Sequence, residues 1–326
     1  MLISSLFFVL HKVKFKKTSD TMDNGIVISE IVNLLSGNGY KVKAEGNLSS
    51  SINGFSSLSN YKNGTITWVR NENYLIAANI TENQQFSCIV TPNCLQSIPN
   101  AVCQLKTDDP KAVFFFILDH YWKEDTIETL SEKAFIEEGA KIGPGTSVGP
   151  FSHISSKAVI GKNCHIGSNV VIKGKVRIGD NCVIQSGAIL GECGYQYIEE
   201  KGKLIPVPHY GGVTLGNNVL IGSCTCVCRG TIDDTIIGDY SKIDNLCHIA
   251  HNIVIGKRVR VIAGSTIMGS VHIGDDSWVA TSMIRDQRKV GSRSVVGMGA
   301  VVVKDVRDNV TVAGIPAKEI IRNEKI

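Results

Sequence analysis

The 326-residue sequence has no paired Cys-x-x-Cys motif, no apolar run long enough to cross a bilayer and no concentrated stripe of basic charge. Each absence removes a class of function. Ten cysteines with neither a short secreted framework nor zinc-ribbon spacing argue against a disulfide scaffold, and a reducing cytoplasm is the simplest compartment. The apolar stretch Leu2 to Leu10 is too short for a transmembrane helix. His11, Lys12, Lys14, Lys16 and Lys17 follow it, whereas a secretory signal places its charges first. Residues 1–21 therefore read as an N-terminal extension ahead of Met22, and no stable membrane insertion is expected. A net charge of +4 does not suit a nucleic-acid binder, yet it suits an enzyme whose ligands carry phosphates. The late basic residues Lys257, Arg258, Arg260, Arg285, Arg288, Lys289 and Arg293 read first as solvated loop tips and second as an anchor for a phosphopantetheine-bearing donor.

What the chain does have is a six-residue grid of aliphatics: Ile136, Ile142, Val148, Ile154, Ile160, Ile166, Ile172, Ile178, Ile184 and Leu190. This period fits neither strand alternation nor a helix, so each repeat is one structural unit. The residue after the aliphatic is often glycine (Gly143, Gly149, Gly161, Gly167, Gly179), as expected where a chain turns sharply once per repeat. The grid resumes at Leu215, Ile221 and Val227, slips through Ile232 and Ile237, and runs from Ile243 to Val279. One residue short, it closes on Val290, Val296 and Val302. Three repeats make one flat-sided coil, and stacked coils pair about 4.8 Å apart as strands do. A parallel β-helix is expected over 129–313, with a tail at 314–326. Cys164 and Cys182, one coil apart, read as stacked core thiols. Cys224, Cys226 and Cys228 share one side of a strand, but with no histidine at a known ligand spacing no metal site is expected. His153, His165, His248 and His272 each precede an inward aliphatic and point outward.

Residues 22–128 lack the grid. Ile28, Ile31, Val32 and Leu35 have helical spacing and stop at Gly37-Asn38-Gly39. Apolar runs at 66–69 and 88–90 predict strands, and Asp109-Pro110 opens a second helix, giving a small α/β domain. Within it Trp68, Asn71 and Tyr74 stand three residues apart. An aromatic pair can stack on a flat base while an amide offers donor and acceptor to a pyrimidine edge; the same residues also serve ordinary packing and turns.

The grid resembles the hexapeptide-repeat family, whose fold is a left-handed parallel β-helix and whose members assemble as homotrimers with active sites between neighbouring prisms. The run Arg229-Gly230-Thr231-Ile232-Asp233-Asp234 through Lys242-Ile243-Asp244-Asn245 to Ala250-His251-Asn252 is similar to the UDP-3-O-acylglucosamine N-acyltransferases. So is the break in the grid, from Gly194-Tyr195-Gln196-Tyr197 to Gly211-Gly212. The resemblance implies a mainly β protein in which 22–128 binds a pyrimidine nucleotide through Trp68, Asn71 and Tyr74, with Trp where the family usually has Phe. It assigns His251 as general base and Gly269 as backbone donor to the oxyanion, with Asp244 and Asn245 orienting the imidazole or holding the sugar. Gly269 read alone is equally a tight turn. Acyl transfer to an amine needs the free base, because an ammonium has no lone pair, and histidine can take that proton near neutral pH. The acceptor implied is a nucleotide-linked amino sugar, on a UDP or dTDP carrier, of lipid A or a surface glycan. The co-substrate is an acyl-ACP or acyl-CoA thioester, with no tightly bound cofactor. Two departures stand out. No histidine lies in Met283-Ile284-Arg285-Asp286-Gln287-Arg288, where that family carries a second one, and the ending after Val312-Ala313-Gly314-Ile315-Pro316 resembles acyltransferases that use CoA. The missing histidine keeps in view a non-catalytic sugar-nucleotide-binding protein. A metal-dependent hydratase on the same prism is a further alternative, although its histidine motif is absent.

Overall fold

A computed structural model describes residues 25–77, 84–98, 100–123 and 129–320. The extension 1–21 and the end of the tail, 321–326, lie outside the described residues. The chain divides into two compact units, 1–126 and 127–326.

In the first unit β1 (Ile26–Val27) runs directly into α1 (Ile28–Gly37), whose Ile28, Ile31 and Leu35 form one buried stripe. The later elements are β2 (Val42–Gly46), β3 (Ser51–Ile52), β4 (Gly54–Phe55), β5 (Thr65–Trp68), α2 (Glu72–Ala77), β6 (Cys88–Pro92), β7 (Cys103–Thr107) and α3 (Pro110–Trp122). A five-stranded sheet has the order β2-β7-β6-β5-β4, parallel except for the edge strand β2. The carboxyl ends of β5, β6 and β7 therefore share one end of the sheet, the end at which open α/β sheets take ligands. Proline opens α3 at no hydrogen-bonding cost, and the Asp109 carboxylate caps it by accepting from the Ala112 N–H at 2.9 Å.

The second unit is a parallel β-helix: three sheets of ten, nine and eight strands among the described residues. Regular coils pair with the next eighteen residues on, as in Ile154↔Ile172 and Ile166↔Ile184. The aliphatic column is its core, with Ile154, Ile166, Ile172, Ile184 and Leu190 fully buried. Cys164 and Cys182 fill the interior between them, each donating its thiol to a backbone carbonyl at 3.1 Å, and all ten thiols are free.

The coils correct two sequence expectations. Ile232 is 80% exposed and stands outside the column, while Ile284, fully buried, takes the place between Val279 and Val290. The repeat glycines are not the turn residues. A Cβ at Gly143 would lie 2.6 Å from the backbone of Gly161, so glycine is needed where successive coils pass closely. The left-handed residue comes two positions later, at Asn163 (φ 54°), Asn169 (56°) and Asn181 (56°), a conformation that asparagine tolerates.

Between Glu192 and Val213 the chain leaves the prism. Tyr197–Glu200 and Lys203–Pro206 pair as an exposed antiparallel hairpin, and the return passes through His209 to Gly211 and Gly212. Several late basic residues are tied to their own or a neighbouring coil: Arg258 grips Asp276 with two bonds of 2.6 and 2.7 Å, Lys257 meets Asp239 at 3.1 Å, and Arg293 reaches Asn309 at 2.7 Å. No helix among the described residues is long and apolar enough to cross a membrane.

Candidate active site

His251 follows the strand His248–Ile249 at a corner of the prism, and its imidazole is clamped. A Cβ at Gly194 would sit 2.5 Å from its Cδ2; one at Gly269 would sit 2.9 Å from both Cε1 and Nε2. Only glycine leaves room for the ring on either side. His209 packs against it edge to face, with ring centroids 5.4 Å apart. The excursion from the prism therefore supplies Gly194 and His209, and the next coil supplies Gly269.

Asn252, in the left-handed conformation at φ 61°, fixes the tautomer. Its Oδ1 accepts from the Thr231 N–H at 3.2 Å and from the Thr231 hydroxyl, which identifies that atom as the oxygen. The 2.9 Å contact between this oxygen and His251 Nδ1 then requires an N–H on Nδ1. In the neutral imidazole the lone pair is then on Nε2, beside Gly269.

The Gly269 N–H has no backbone or side-chain acceptor among the described residues. Equivalent N–H groups elsewhere are capped by carboxylates of the next coil: Lys162 by Asp180 at 3.0 Å, Asn217 by Asp239 and Lys257 by Asp275 at 2.8 Å. Nor does Gly269 turn the corner; the left-handed residue there is Ser270 (φ 59°).

Asp244 and Asn245 lie elsewhere. They follow a strand of the ten-stranded sheet, one corner away from His251. Asp244 accepts from the N–H of Asn245 at 2.8 Å and of Ala263 at 3.2 Å, and Asn245 accepts from Ser223 at 2.7 Å. Within one chain they cap coil corners, and the residue that orients His251 is Asn252. Sequence reading also missed His209, which lies 42 residues before His251 in a segment without periodicity. It is 7% exposed; its Nδ1 donates to the Val207 carbonyl at 2.8 Å and its buried Nε2 has no partner among the described residues.

In the first unit a cavity of about 700 Å³ opens at the carboxyl ends of β5 and β6. Trp68 and Tyr74 both line it, with Arg70, Pro92 and Lys111. The Trp68 ring is backed by Phe114 and Phe115 of α3 at 6.3 and 6.4 Å, and Tyr74 is half exposed. Asn71 is exposed and outside the lining; its carbonyl accepts from the Tyr74 N–H at 3.2 Å. Arg70 and Lys111 went unnoticed in the sequence because the parallel order of β5, β6 and β7 brings them together across forty residues.

A further cluster lies on the nine-stranded sheet. The register pairs Cys226 directly with His248 of the next coil, which removes the premise that no histidine accompanies these cysteines. Contact with Cys228 first, and with His248 second, lowers the Cys226 thiol to about 5, and the same contact pushes Cys228 up.

Residues 139–174, 157–192 and 234–269 match the family described as bacterial transferase hexapeptide (six repeats). The chain is 37% identical over 138 residues to a UDP-3-O-acylglucosamine N-acyltransferase of Caulobacter sp. (strain K31), a stretch covering 42% of this chain and 41% of that protein. The match thus spans about two-fifths of the relative's length. Among solved structures, a UDP-N-acetylglucosamine acyltransferase from Francisella novicida superposes with a TM-score of 0.55 at 27% identity, over 60% of this chain and 71% of that one. One from Campylobacter jejuni gives 0.53 at 26%, over 59% and 74%. Repeats, solenoid and relatives agree: the chain fits the hexapeptide-repeat acyltransferases and is similar to UDP-3-O-acylglucosamine N-acyltransferase.

Proposed function

We propose that the protein is an N-acyltransferase that moves an acyl group from a phosphopantetheine thioester to the amine of a nucleotide-linked sugar. The observation that carries this reading is the His251 imidazole, held between two glycines with Nδ1 bonded to Asn252 and Nε2 without a hydrogen-bond partner among the described residues. Nε2 takes a proton from the amine as its lone pair attacks the thioester carbonyl. The tetrahedral oxyanion is stabilised by the uncommitted Gly269 N–H; collapse breaks the C–S bond, and the proton on His251 passes to the departing thiolate. His209 and Asn252 act as positioning residues, and a second imidazole thus comes from the excursion instead of 283–288. Asp244 and Asn245, whose carboxylate and amide are turned to their own corner, are assigned the sugar or a neighbouring protomer of a trimer.

The nucleotide is assigned to the cavity lined by Trp68 and Tyr74, with Arg70 and Lys111 as cations for its phosphates. Neither alternative class is favoured by the relatives, which are acyltransferases by name. A thiol-release assay should decide: acyl-CoA and acyl-ACP are offered with a panel of UDP- and dTDP-amino sugars. Sugar-dependent release is expected, and none with any pairing would overturn the proposal.

Two variants test its parts. Trp68→Ala removes a stacking face of about 0.5–1.5 kcal/mol and should raise KM for the sugar nucleotide up to about tenfold with kcat unchanged. An unaltered KM sinks the base-binding role. Asn252→Ala frees the imidazole to turn and to exchange tautomers; kcat should fall while KM holds, and equal kcat in both proteins would remove Asn252 from the site.

A further inference from the structure

The sites above leave one constellation of reactive side chains unused, on the outer face of the nine-stranded sheet. Cys226 and Cys228 stand two apart on one strand, so both side chains leave the same face. The inward residue between them, Val227, is fully buried in the core. The adjacent coil puts His248 opposite Cys226 in register, and one ligand atom from each of the three residues lies within 4.8 Å of the others. Two thiolates and one imidazole around a single zinc ion sit about 3.8 Å apart, given Zn–S bonds of about 2.3 Å and tetrahedral angles. The ligand atoms therefore need to close by at most about 1 Å. His248 is exposed, Cys226 partly so and Cys228 buried, so an ion could enter from solvent and finish with its thiolates sheltered.

We infer that Cys226, Cys228 and His248 form a zinc site that staples two neighbouring coils, leaving a fourth position for water or another ligand. Soft sulfur with one imidazole selects zinc over calcium or magnesium, which require oxygen. Two thiolates match the charge of a divalent ion, so binding should release protons rather than build up charge. A disulfide is the competing outcome for two neighbouring thiols, but residues two apart on an extended strand lie near the upper limit of disulfide geometry. The assignment does not depend on acyl transfer.

The test uses the reduced full-length chain, freed of metal by a chelator and titrated with Co²⁺ as a spectroscopic stand-in for Zn²⁺. Expected is a thiolate-to-cobalt charge-transfer band that saturates at one equivalent and disappears when Zn²⁺ is added. Cys226→Ser and His248→Ala should each abolish it while retaining the circular dichroism of the parent. His248 is exposed, so if Cys226→Ser fails to fold, His248→Ala alone decides. No saturable band, or one that persists in His248→Ala, overturns the site.

Discussion

Replacing His251 with alanine lowers kcat by about 10² to 10⁴, the usual contribution of a positioned general base. Two features of the site argue for the full range. Nδ1 is committed to Asn252, so only Nε2 can take a proton, and the flanking glycines place no side chain of their own against the ring. The deletion removes a half-buried ring at a corner and leaves the aliphatic column intact, with Ile249 and Ile267 on either side fully buried. Circular dichroism and the unfolding midpoint should therefore stay near those of the parent. Steady-state kinetics with donor and sugar both saturating provide the measurement, and an undiminished kcat would remove His251 from catalysis.

Gly269→Ala should cost about 10²-fold in kcat, the scale on which a displacement of about 1 Å disturbs a reacting geometry. The new methyl would lie 2.9 Å from Cε1 and Nε2, and the ring cannot retreat, because the Gly194 backbone is behind it and His209 beside it. The variant separates two roles for this residue. Gly269 lacks a left-handed φ, so alanine imposes no backbone strain; a residue serving only the turn would lose stability or nothing. Unchanged stability with a large fall in kcat indicates crowding of the base. Parent-like turnover would mean that the ring is free to move and that the clamp is not functional.

The prism could be read from the sequence because its stabilisation is periodic. An aliphatic every sixth residue is the core itself, so Ile154 to Leu190 could be placed inward without knowing anything distant in sequence. Where periodicity lapsed, reading became local and failed. Ile232, where the grid slips to five residues, lies outside the strands and in solvent. The glycines were detectable, yet their reason was not, since it lies in the coil eighteen residues away.

The site divides along the same line. His251 and Gly269 belong to repeats, and their positions followed from the motif. Asn252 was adjacent in sequence but gave no sign that its amide, fixed by Thr231, would orient the ring. The resemblance carried Asp244 over with His251, to orient the imidazole or hold the sugar; one repeat on a three-sided coil puts it at a different corner.

The sequence alone thus determined the solenoid, its core and the histidine at its corner, because a hydrophobic grid and a short motif act over one coil or less. Only the tertiary structure decided what closes on that histidine and what stands beside Cys226. Both depend on which residues meet across stacked coils and on where an aperiodic excursion returns, and no local spacing encodes either.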